Sequence, residues 1–333
     1  MRPPLHLAST AVRVGALLGC RTSRVQVFRA LGGGGSSIRT AKNGATIMTR
    51  NIARASTGVA HVGVDGAGTS SAGPALKTFV NGNASGPVLV FVHGWPDDHT
   101  MWDKQVAHLK DRCLCVTTDL PGFSAEDTHA ERWGYSVDEC VKRLERTVEA
   151  AGKGQPVTLI AHDWGCFYSY LLEQKRPDLV RRMVTIDIGG VLKPRPLAAF
   201  MIVSYHSWLI TAFLLGGPIG NAMSRAFAWL VKAPLRSRIA RASVGYPYYH
   251  LWKKVLSKSK EDPPPPMMPK VPLLFLYGTA GFKKNLMFHT DSWAKEVQDK
   301  EGSFSVAMTK SGHWVTRDQP DEVNSRIDAF LEI

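Results

Sequence analysis

Short apolar runs alternate with amphipathic stretches from Leu76 to the C-terminus. The runs are rich in β-branched residues and have the length of buried strands, whereas the stretches between them show helical spacing of apolar positions. This alternation is typical of a mainly parallel sheet covered by helices on both faces. It predicts strands at 88–92, 113–118, 157–161, 183–186, 273–277 and 304–308.

The helical pattern is clearest at 102–110 and after Ser136, where Ser136 and Glu139 have the spacing of an N-terminal capping box. Residues 190–269 break the alternation, because they show helical periodicity and no convincing strand. We therefore predict an α/β core at 70–189 and 270–333, with a helical lid inserted after its sixth strand at 190–269.

One part of this lid, residues 198–216, is apolar enough to be considered as a membrane span. Polar side chains interrupt it at Ser204, Tyr205, His206, Ser207 and Thr211. A buried lid helix is therefore the favoured interpretation, and membrane association is the alternative.

The positive charge of the chain is concentrated near its N-terminus. The formal net charge is +13, but eight arginines and Lys42 precede Asp65, the first acidic residue. Residues 1–55 are rich in Arg, Ser, Ala and Thr and lack the unbroken apolar core of a secretory signal. This composition predicts an organelle transit peptide, mitochondrial rather than plastid, with a retained disordered basic arm as the alternative.

The remainder of the chain offers no sign of a nucleic-acid or metal site. Its net charge is about +4 by difference and is spread along the sequence, so nucleic acid is not an expected partner. The five cysteines are odd in number and lack CxxC pairs, so they are interpreted as reduced core residues and no metal or other cofactor is expected.

The strongest chemical motif is the sequence AHDWG, which centres on Asp163 and joins the predicted strand 157–161 to a helical stretch. Ala161 and Gly165 are the small flanking residues that a nucleophile elbow requires, because its sharp turn leaves no room for side chains. A carboxylate is ionised at neutral pH and needs no base to activate it, so Asp163 is a candidate nucleophile toward carbon. The structural alternative is that Asp163 only caps the following helix.

Two further motifs supply partners for this aspartate. His93-Gly94-Trp95-Pro96 ends the strand 88–92, and we expect the backbone amides of Trp95 and Trp164 to form an oxyanion hole, with a possible cis bond before Pro96. His313 follows the last predicted strand, in the position of a general base.

In this order and spacing, HGWP, AHDWG and GHW resemble the epoxide hydrolase and haloalkane dehalogenase branch of the α/β-hydrolase superfamily. The resemblance covers about residues 76–333. It implies the α/β-hydrolase fold and a covalent ester on Asp163 that water, activated by His313, hydrolyses.

The acid that orients the histidine departs from the commonest family pattern. Many members carry it shortly after the next-to-last strand, but residues 277–282 contain no acid here. The family's alternative position follows the strand after the nucleophile helix, and Asp187 stands there. The resemblance therefore implies Asp187 as the third residue of the triad, with Asp291 as the fallback.

Epoxide opening requires a proton donor, and related enzymes supply it from lid tyrosines. By resemblance of its setting, Tyr249 is the expected donor and Tyr205 the second, although simple packing explains aromatic residues in a lid equally well. Halide release needs only N–H donors such as the indoles of Trp164 and Trp95. Relatives that act on haloalkanes more often carry Asn in place of Trp95, which favours the epoxide.

The expected substrate is a small to medium apolar organic molecule. The same triad also suits a haloalkane, an ester or a lactone. A catalytically silent hydrolase fold that serves as a binding or membrane-associated protein is the alternative from another class, because fold alone does not determine chemistry.

Overall fold

The computed structural model of the chain describes residues 74–124, 126–127, 131–190, 196–235, 239–257, 268–280 and 288–333. The N-terminal leader at 1–55 lies outside these residues, so its interpretation as a transit peptide stays a prediction.

The described residues form one seven-stranded sheet in the spatial order β1-β3-β2-β4-β5-β6-β7. The β1–β3 pair is antiparallel and the other five pairs are parallel, which confirms the predicted mainly parallel α/β sheet. The strands are β1 (Lys77–Gly82), β2 (Val88–Val92), β3 (Leu114–Asp119), β4 (Val157–His162), β5 (Val180–Ile186), β6 (Leu273–Gly278) and β7 (Phe304–Met308).

All six predicted strands are present, and β1 is the one that the apolar pattern missed. β1 lies at the edge of the sheet, and most of its residues are partly or fully exposed. Its sequence KTFVNG consequently contains no continuous apolar run. An edge strand of this kind pairs through its backbone and carries little hydrophobic signal.

Helices cover both faces of the sheet. Alternate residues of β2 point to opposite faces, so Val90 and Val92 enter one hydrophobic core while Leu89 and Phe91 enter the other. On the first face lie α2 (Val137–Gly152), α3 (Trp164–Lys175) and α7 (Asp291–Asp299), and on the second lie α1 (Asp103–Leu109), α8 (Val315–Asp318) and α9 (Pro320–Leu331). Cys113, Cys115, Cys140 and Cys166 are buried and unpaired within these cores.

The predicted capping box at the start of α2 is half formed. The Ser136 hydroxyl accepts a hydrogen bond from the amide of Glu139 at 3.2 Å. The Glu139 carboxylate instead binds the guanidinium of Arg143, one turn along the helix, at 2.7 Å. The N-cap therefore holds the first turn, while the glutamate serves an ion pair on the helix surface.

A helical segment separates β5 from β6. It was predicted after the sixth strand, but among the described strands it follows the fifth. It contains α4 (Pro196–Leu215), α5 (Gly217–Leu230) and α6 (Tyr246–Leu256), and no strand among its described residues. Of the helices that the structure describes, α4 is the one long and apolar enough to cross a membrane, with a mean hydropathy of 1.7. Its inner face packs on the rest of the lid through Leu209, Ala212 and Phe213, all of them buried.

The carboxyl ends of the parallel strands all lie along one side of the sheet. Because side chains just beyond those ends converge there, the loops after β2, β4, β5 and β7 are expected to form the functional site. These four loops carry Trp95, Asp163, Asp187 and His313.

Candidate active site

Asp163 stands alone between β4 and α3, at the tip of a sharp turn. Its backbone has φ 54° and ψ −122°, a conformation that costs a residue with a side chain about 1–3 kcal/mol. The turn is possible because Ala161 and Gly165, two residues before and after Asp163, are small. A Cβ atom on Gly165 would lie 2.2 Å from the carbonyl oxygen of Val92, so α3 approaches β2 closely only with glycine there.

The loop after β2 presents its backbone to this carboxylate. The Trp95 amide donates a hydrogen bond to Asp163 Oδ1 at 2.7 Å, and the Trp164 amide also hydrogen-bonds the Asp163 side chain. The peptide bond between Trp95 and Pro96 is cis, which confirms that prediction. A Cβ atom on Gly94 would lie 2.2 Å from Asp163 Oδ1, so glycine is needed for the loop to come this near. The Asp163 carboxylate therefore contacts both of the predicted amide donors.

His313, in the loop after β7, lies between the carboxylates of Asp163 and Asp187. Its Nε2 is 3.5 Å from Asp163 Oδ2, and its Nδ1 is 2.5 Å from Asp187 Oδ2. The imidazole is 7% exposed, so little water screens these charges. The arrangement has the order of a nucleophile, a histidine and an orienting acid.

Asp187 follows β5 and reaches the histidine from the neighbouring strand end. Its backbone has a positive φ of 69°, and its Oδ1 accepts a hydrogen bond from the Gly278 amide at 3.3 Å. Gly278, which ends β6, thus hydrogen-bonds the acid, although the strand is not followed by an acid of its own. Asp291, the fallback acid, is exposed at the start of α7.

The two carboxylates determine the charge of the imidazole. Burial by itself lowers the pKa of His313, but hydrogen bonds and charge from Asp163 and Asp187 outweigh it and raise the pKa to about 10. Burial likewise raises the pKa of Asp163, but the opposing contributions of His313, His162 and the Trp164 amide leave it below its ordinary value. Asp163 is therefore an anion at neutral pH, and His313 is its counter-ion.

His162, to which the sequence motifs assign no role, supports the His313 loop. Burial lowers its pKa to about 4, so the ring is neutral at neutral pH. Its Nε2 lies 2.8 Å from the His313 carbonyl oxygen, and because a carbonyl only accepts, Nε2 carries the proton. The position directly before the nucleophile was the available sequence signal for this role.

Two lid tyrosines lie above the carboxylate, and one of them differs from the expectation. The ring of Tyr248 is 5.0 Å from that of Trp164 and 6.0 Å from that of Tyr205. Burial, and after it the charge of Asp163, raises the pKa of both phenols well above the ordinary value. Tyr205 is therefore near the site as expected, and it is joined there by Tyr248.

Tyr249 was the expected proton donor, and the structure does not bring it to the site. Among the described contacts, its ring packs against Trp133 at 6.2 Å and Phe213 at 5.3 Å, as well as the adjacent His250. Successive residues of a helix point about 100° apart, so only one of the two adjacent tyrosines of α6 faces the carboxylate. The member of the pair that lies near the carboxylate is Tyr248.

A chain of hydrogen bonds makes the Tyr205 hydroxyl an acceptor toward His206. An indole nitrogen only donates, so Trp252 Nε1 gives its proton to His206 Nδ1 at 2.9 Å. Burial lowers the pKa of His206 to about 4, so the neutral ring carries its proton on Nε2, which is 2.9 Å from the Tyr205 hydroxyl. Tyr205 accepts that bond, and its own proton stays available.

The Tyr248 hydroxyl also accepts a hydrogen bond. The Trp164 side chain hydrogen-bonds the Tyr248 hydroxyl, and an indole can only be the donor. The two phenols therefore both receive a hydrogen bond from the lid or the elbow and keep a proton to donate. His206 directly follows Tyr205 but was not recognised from the sequence as its hydrogen-bond partner, and no motif relates Trp252 to either residue.

The loop after β2 also contributes a buried acid. Asp97 Oδ2 accepts a hydrogen bond from the Trp314 indole at 2.9 Å, which joins this loop to the one that carries His313. Burial raises the pKa of Asp97 to about 7, against the effect of the Trp314 hydrogen bond. The HGWP motif drew attention to the residues before Asp97 and not to this link.

Comparison with known proteins agrees with the fold. A model of the α/β hydrolase fold matches residues 87–227. Epoxide hydrolase 1 of Caenorhabditis elegans is 22% identical over 284 residues, which are 75% of this chain and 66% of that relative. The chain thus spans slightly less than two thirds of that relative's length.

A second relative and a solved structure extend the comparison. A cis-3-alkyl-4-alkyloxetan-2-one decarboxylase of Xanthomonas campestris is 27% identical over 198 residues, covering 56% of this chain and 63% of the relative. The crystal structure of epoxide hydrolase A from Mycobacterium thermoresistibile superimposes with a TM-score of 0.58 at 16% identity, covering 77% of this chain and 94% of that one. At that identity the superposition establishes the shared fold.

We predict that Asp187→Asn lowers the pKa of His313 from about 10 toward its ordinary value, because one of the two flanking anions is lost. NMR titration of histidine labelled with 13C at Cε1 measures this directly, with His313→Gln identifying the resonance. Asp291→Asn is the matched control and should leave the titration unchanged. The reverse pattern, a shift with Asp291→Asn alone, would show that the orienting acid is misassigned.

Proposed function

We propose that this chain, a member of the α/β-hydrolase superfamily on its epoxide hydrolase-like branch, opens epoxides of small to medium apolar molecules through a covalent ester on Asp163. One observation carries the proposal: Asp163 lies between His313, with Oδ2 3.5 Å from Nε2, and the Trp95 amide, 2.7 Å from Oδ1. A carboxylate so held is suited to attack carbon and then to be attacked by water.

In the first half-reaction Asp163 Oδ2 attacks an epoxide carbon. The carbon–oxygen bond of the ring breaks, the ester bond forms, and the ring oxygen takes a proton from Tyr248 or Tyr205. The lowered pKa of Asp163 keeps the nucleophile ionised, and the raised pKa values of both tyrosines keep their protons in place. Oδ1 becomes the ester carbonyl oxygen and stays with the amides of Trp95 and Trp164.

Ester formation prepares the second half-reaction. It neutralises Asp163, so His313 loses one of the two anions that raise its pKa, and its proton becomes easier to release to the tyrosinate left by the first step. Neutral His313, still oriented by Asp187, then takes a proton from water. The hydroxide attacks Cγ of the ester, and the two amides stabilise the oxyanion on Oδ1. Collapse breaks the bond between Cγ and the alkyl oxygen, which takes the proton of the added hydroxyl and leaves as the diol, so that the Asp163 carboxylate is restored.

A strained lactone is the second candidate substrate class. It is favoured by the similarity to a protein named for an oxetan-2-one, a four-membered lactone ring. The same carboxylate and the same proton donors suit the opening of either ring. A haloalkane is less well supported, because the Trp164 indole, one of the two donors expected to hold a halide, is engaged by Tyr248.

We predict that His313→Gln accumulates the ester. Without the general base, hydrolysis slows by about 10²–10⁴-fold, whereas alkylation of Asp163 proceeds. Intact-protein mass spectrometry after incubation with styrene oxide should show a mass increase equal to one epoxide, located on Asp163 by fragmentation. Asp163→Asn is the control and should show none. If an adduct forms equally in both variants, the nucleophile is another residue.

We predict that Tyr248→Phe slows ester formation by about 10²-fold or more, because the ring oxygen loses a proton donor. Tyr249→Phe, the adjacent residue on the same helix, should stay within about twofold of the wild type. Rapid-quench measurement of the ester under single-turnover conditions separates this step from hydrolysis. A larger defect in Tyr249→Phe would contradict the assignment.

A further inference from the structure

The lid exposes an extensive apolar surface on α4 and α5. On α4 the exposed apolar residues recur at the spacing of one helix face, which also carries Ser204, Ser207 and Thr211. α5 packs beside α4, with the Trp208 indole donating to the Met223 carbonyl at 3.0 Å. Phe200, Ile219 and Trp229 are 67–70% exposed. We call this surface the outer lid face and define it as Leu197, Phe200, Val203, Trp208, Leu214, Leu215, Ile219, Trp229 and Leu230.

So large an exposed apolar surface is unusual for a protein that meets only water. Contiguous exposed patches of this kind mark sites that bind another protein or a membrane. The aromatic residues are informative, because tryptophan is enriched where a protein meets the boundary between lipid and water. Trp229 and Trp208 both belong to the outer lid face.

The opposite face of α4 argues against a membrane-spanning helix. Tyr205 and His206 lie on α4, His206 is buried, and both contact Tyr248 beside the carboxylate. A span through a bilayer would remove these two residues from the site. The geometry instead fits a helix that lies in the plane of the membrane surface, with one face in the lipid boundary and the other on the protein.

The charge of the lid residues indicates which kind of partner the outer lid face binds. Residues 188–260 contain no aspartate or glutamate and eleven lysines and arginines. Arg225 is exposed on α5 one turn before Trp229, and Lys232 and Lys253 are exposed near the ends of α5 and α6. Basic side chains around an apolar helix face are attracted to anionic lipid headgroups. A second copy of this chain is a poor partner, because a symmetric contact would bring together two lid segments that contain basic but no acidic residues.

We propose that the outer lid face binds the surface of a bilayer that contains anionic lipids. The exposed aromatic and aliphatic side chains enter the headgroup boundary, and the surrounding lysines and arginines contact the headgroups. This inference rests on the lid surface alone and holds whatever the reaction at Asp163.

Sedimentation of the full chain with vesicles tests the proposal. We expect binding to vesicles of phosphatidylcholine mixed with phosphatidylglycerol and at least about tenfold weaker binding to phosphatidylcholine alone. Binding should also weaken with salt, because headgroup attraction is screened. Equal binding to both vesicles, or binding to neither, would overturn the proposal.

Variants locate the contact on the lid rather than on the basic N-terminal residues. The double variant Phe200→Ser/Trp229→Ser should lose about tenfold or more in vesicle binding, with an unchanged circular dichroism spectrum. Phe304→Ser is the matched control, since Phe304 is 49% exposed on β7, far along the sequence from the lid, and it should bind as the wild type does. Full binding by the double variant would place the contact elsewhere and refute the outer lid face.

A second readout reports insertion itself. Brominated lipids quench tryptophan fluorescence at short range, so Trp229→Phe should reduce the quenched fraction while leaving sedimentation nearly unchanged. Self-association that the double variant abolishes, without vesicle binding by the wild type, would identify a second copy as the occupant and overturn the proposal.

Discussion

The site depends on one strained turn that holds a carboxylate against two backbone amides and an imidazole. Asp163 adopts a positive φ because Gly165 allows α3 to approach β2 within van der Waals contact and Gly94 lets the opposite loop reach the carboxylate. The parallel sheet supplies the fixed ends from which these loops emerge. The packing of α3 on the sheet therefore fixes the position of the Asp163 side chain.

Electrostatics couple the two halves of the proposed reaction. In the free protein a buried imidazolium lies between Asp163 and Asp187, and each anion stabilises its charge. An ester on Asp163 removes one anion and leaves the other, so the histidine becomes a better base when a base is required. The lid complements this arrangement, because donors behind Tyr205 and Tyr248 leave both phenol protons available.

Much of this arrangement could be predicted from the sequence, because its signals are local. The turn at Asp163, the amide of Trp95 and the position of His313 follow from short motifs beside apolar strands. The missing acid after β6 directed attention to Asp187, which lies 2.5 Å from the histidine. The roles of these residues in catalysis remain proposals that the variants above address.

The failures have a different physical origin. Choosing between Tyr248 and Tyr249 requires the rotation of α6 about its axis, and a run of adjacent tyrosines does not define it. The hydrogen bonds from Trp252 to His206 and from Trp314 to Asp97 join residues far apart in sequence. The edge strand β1 lacked the apolar run that marks a buried strand. Long-range polar contacts and helix rotation are thus what the sequence pattern left undetermined.

The central claim is that a carboxylate oxygen of Asp163 becomes part of the product. One turnover in water labelled with 18O, with protein in excess over styrene oxide, tests it directly. We expect the label in the tryptic peptide 154–175, whose two side-chain carboxylates are Asp163 and Glu173. Fragmentation should place it on Asp163, and the first diol should carry unlabelled oxygen. Label that appears only in the diol would mean that water attacks the substrate directly and would contradict the account.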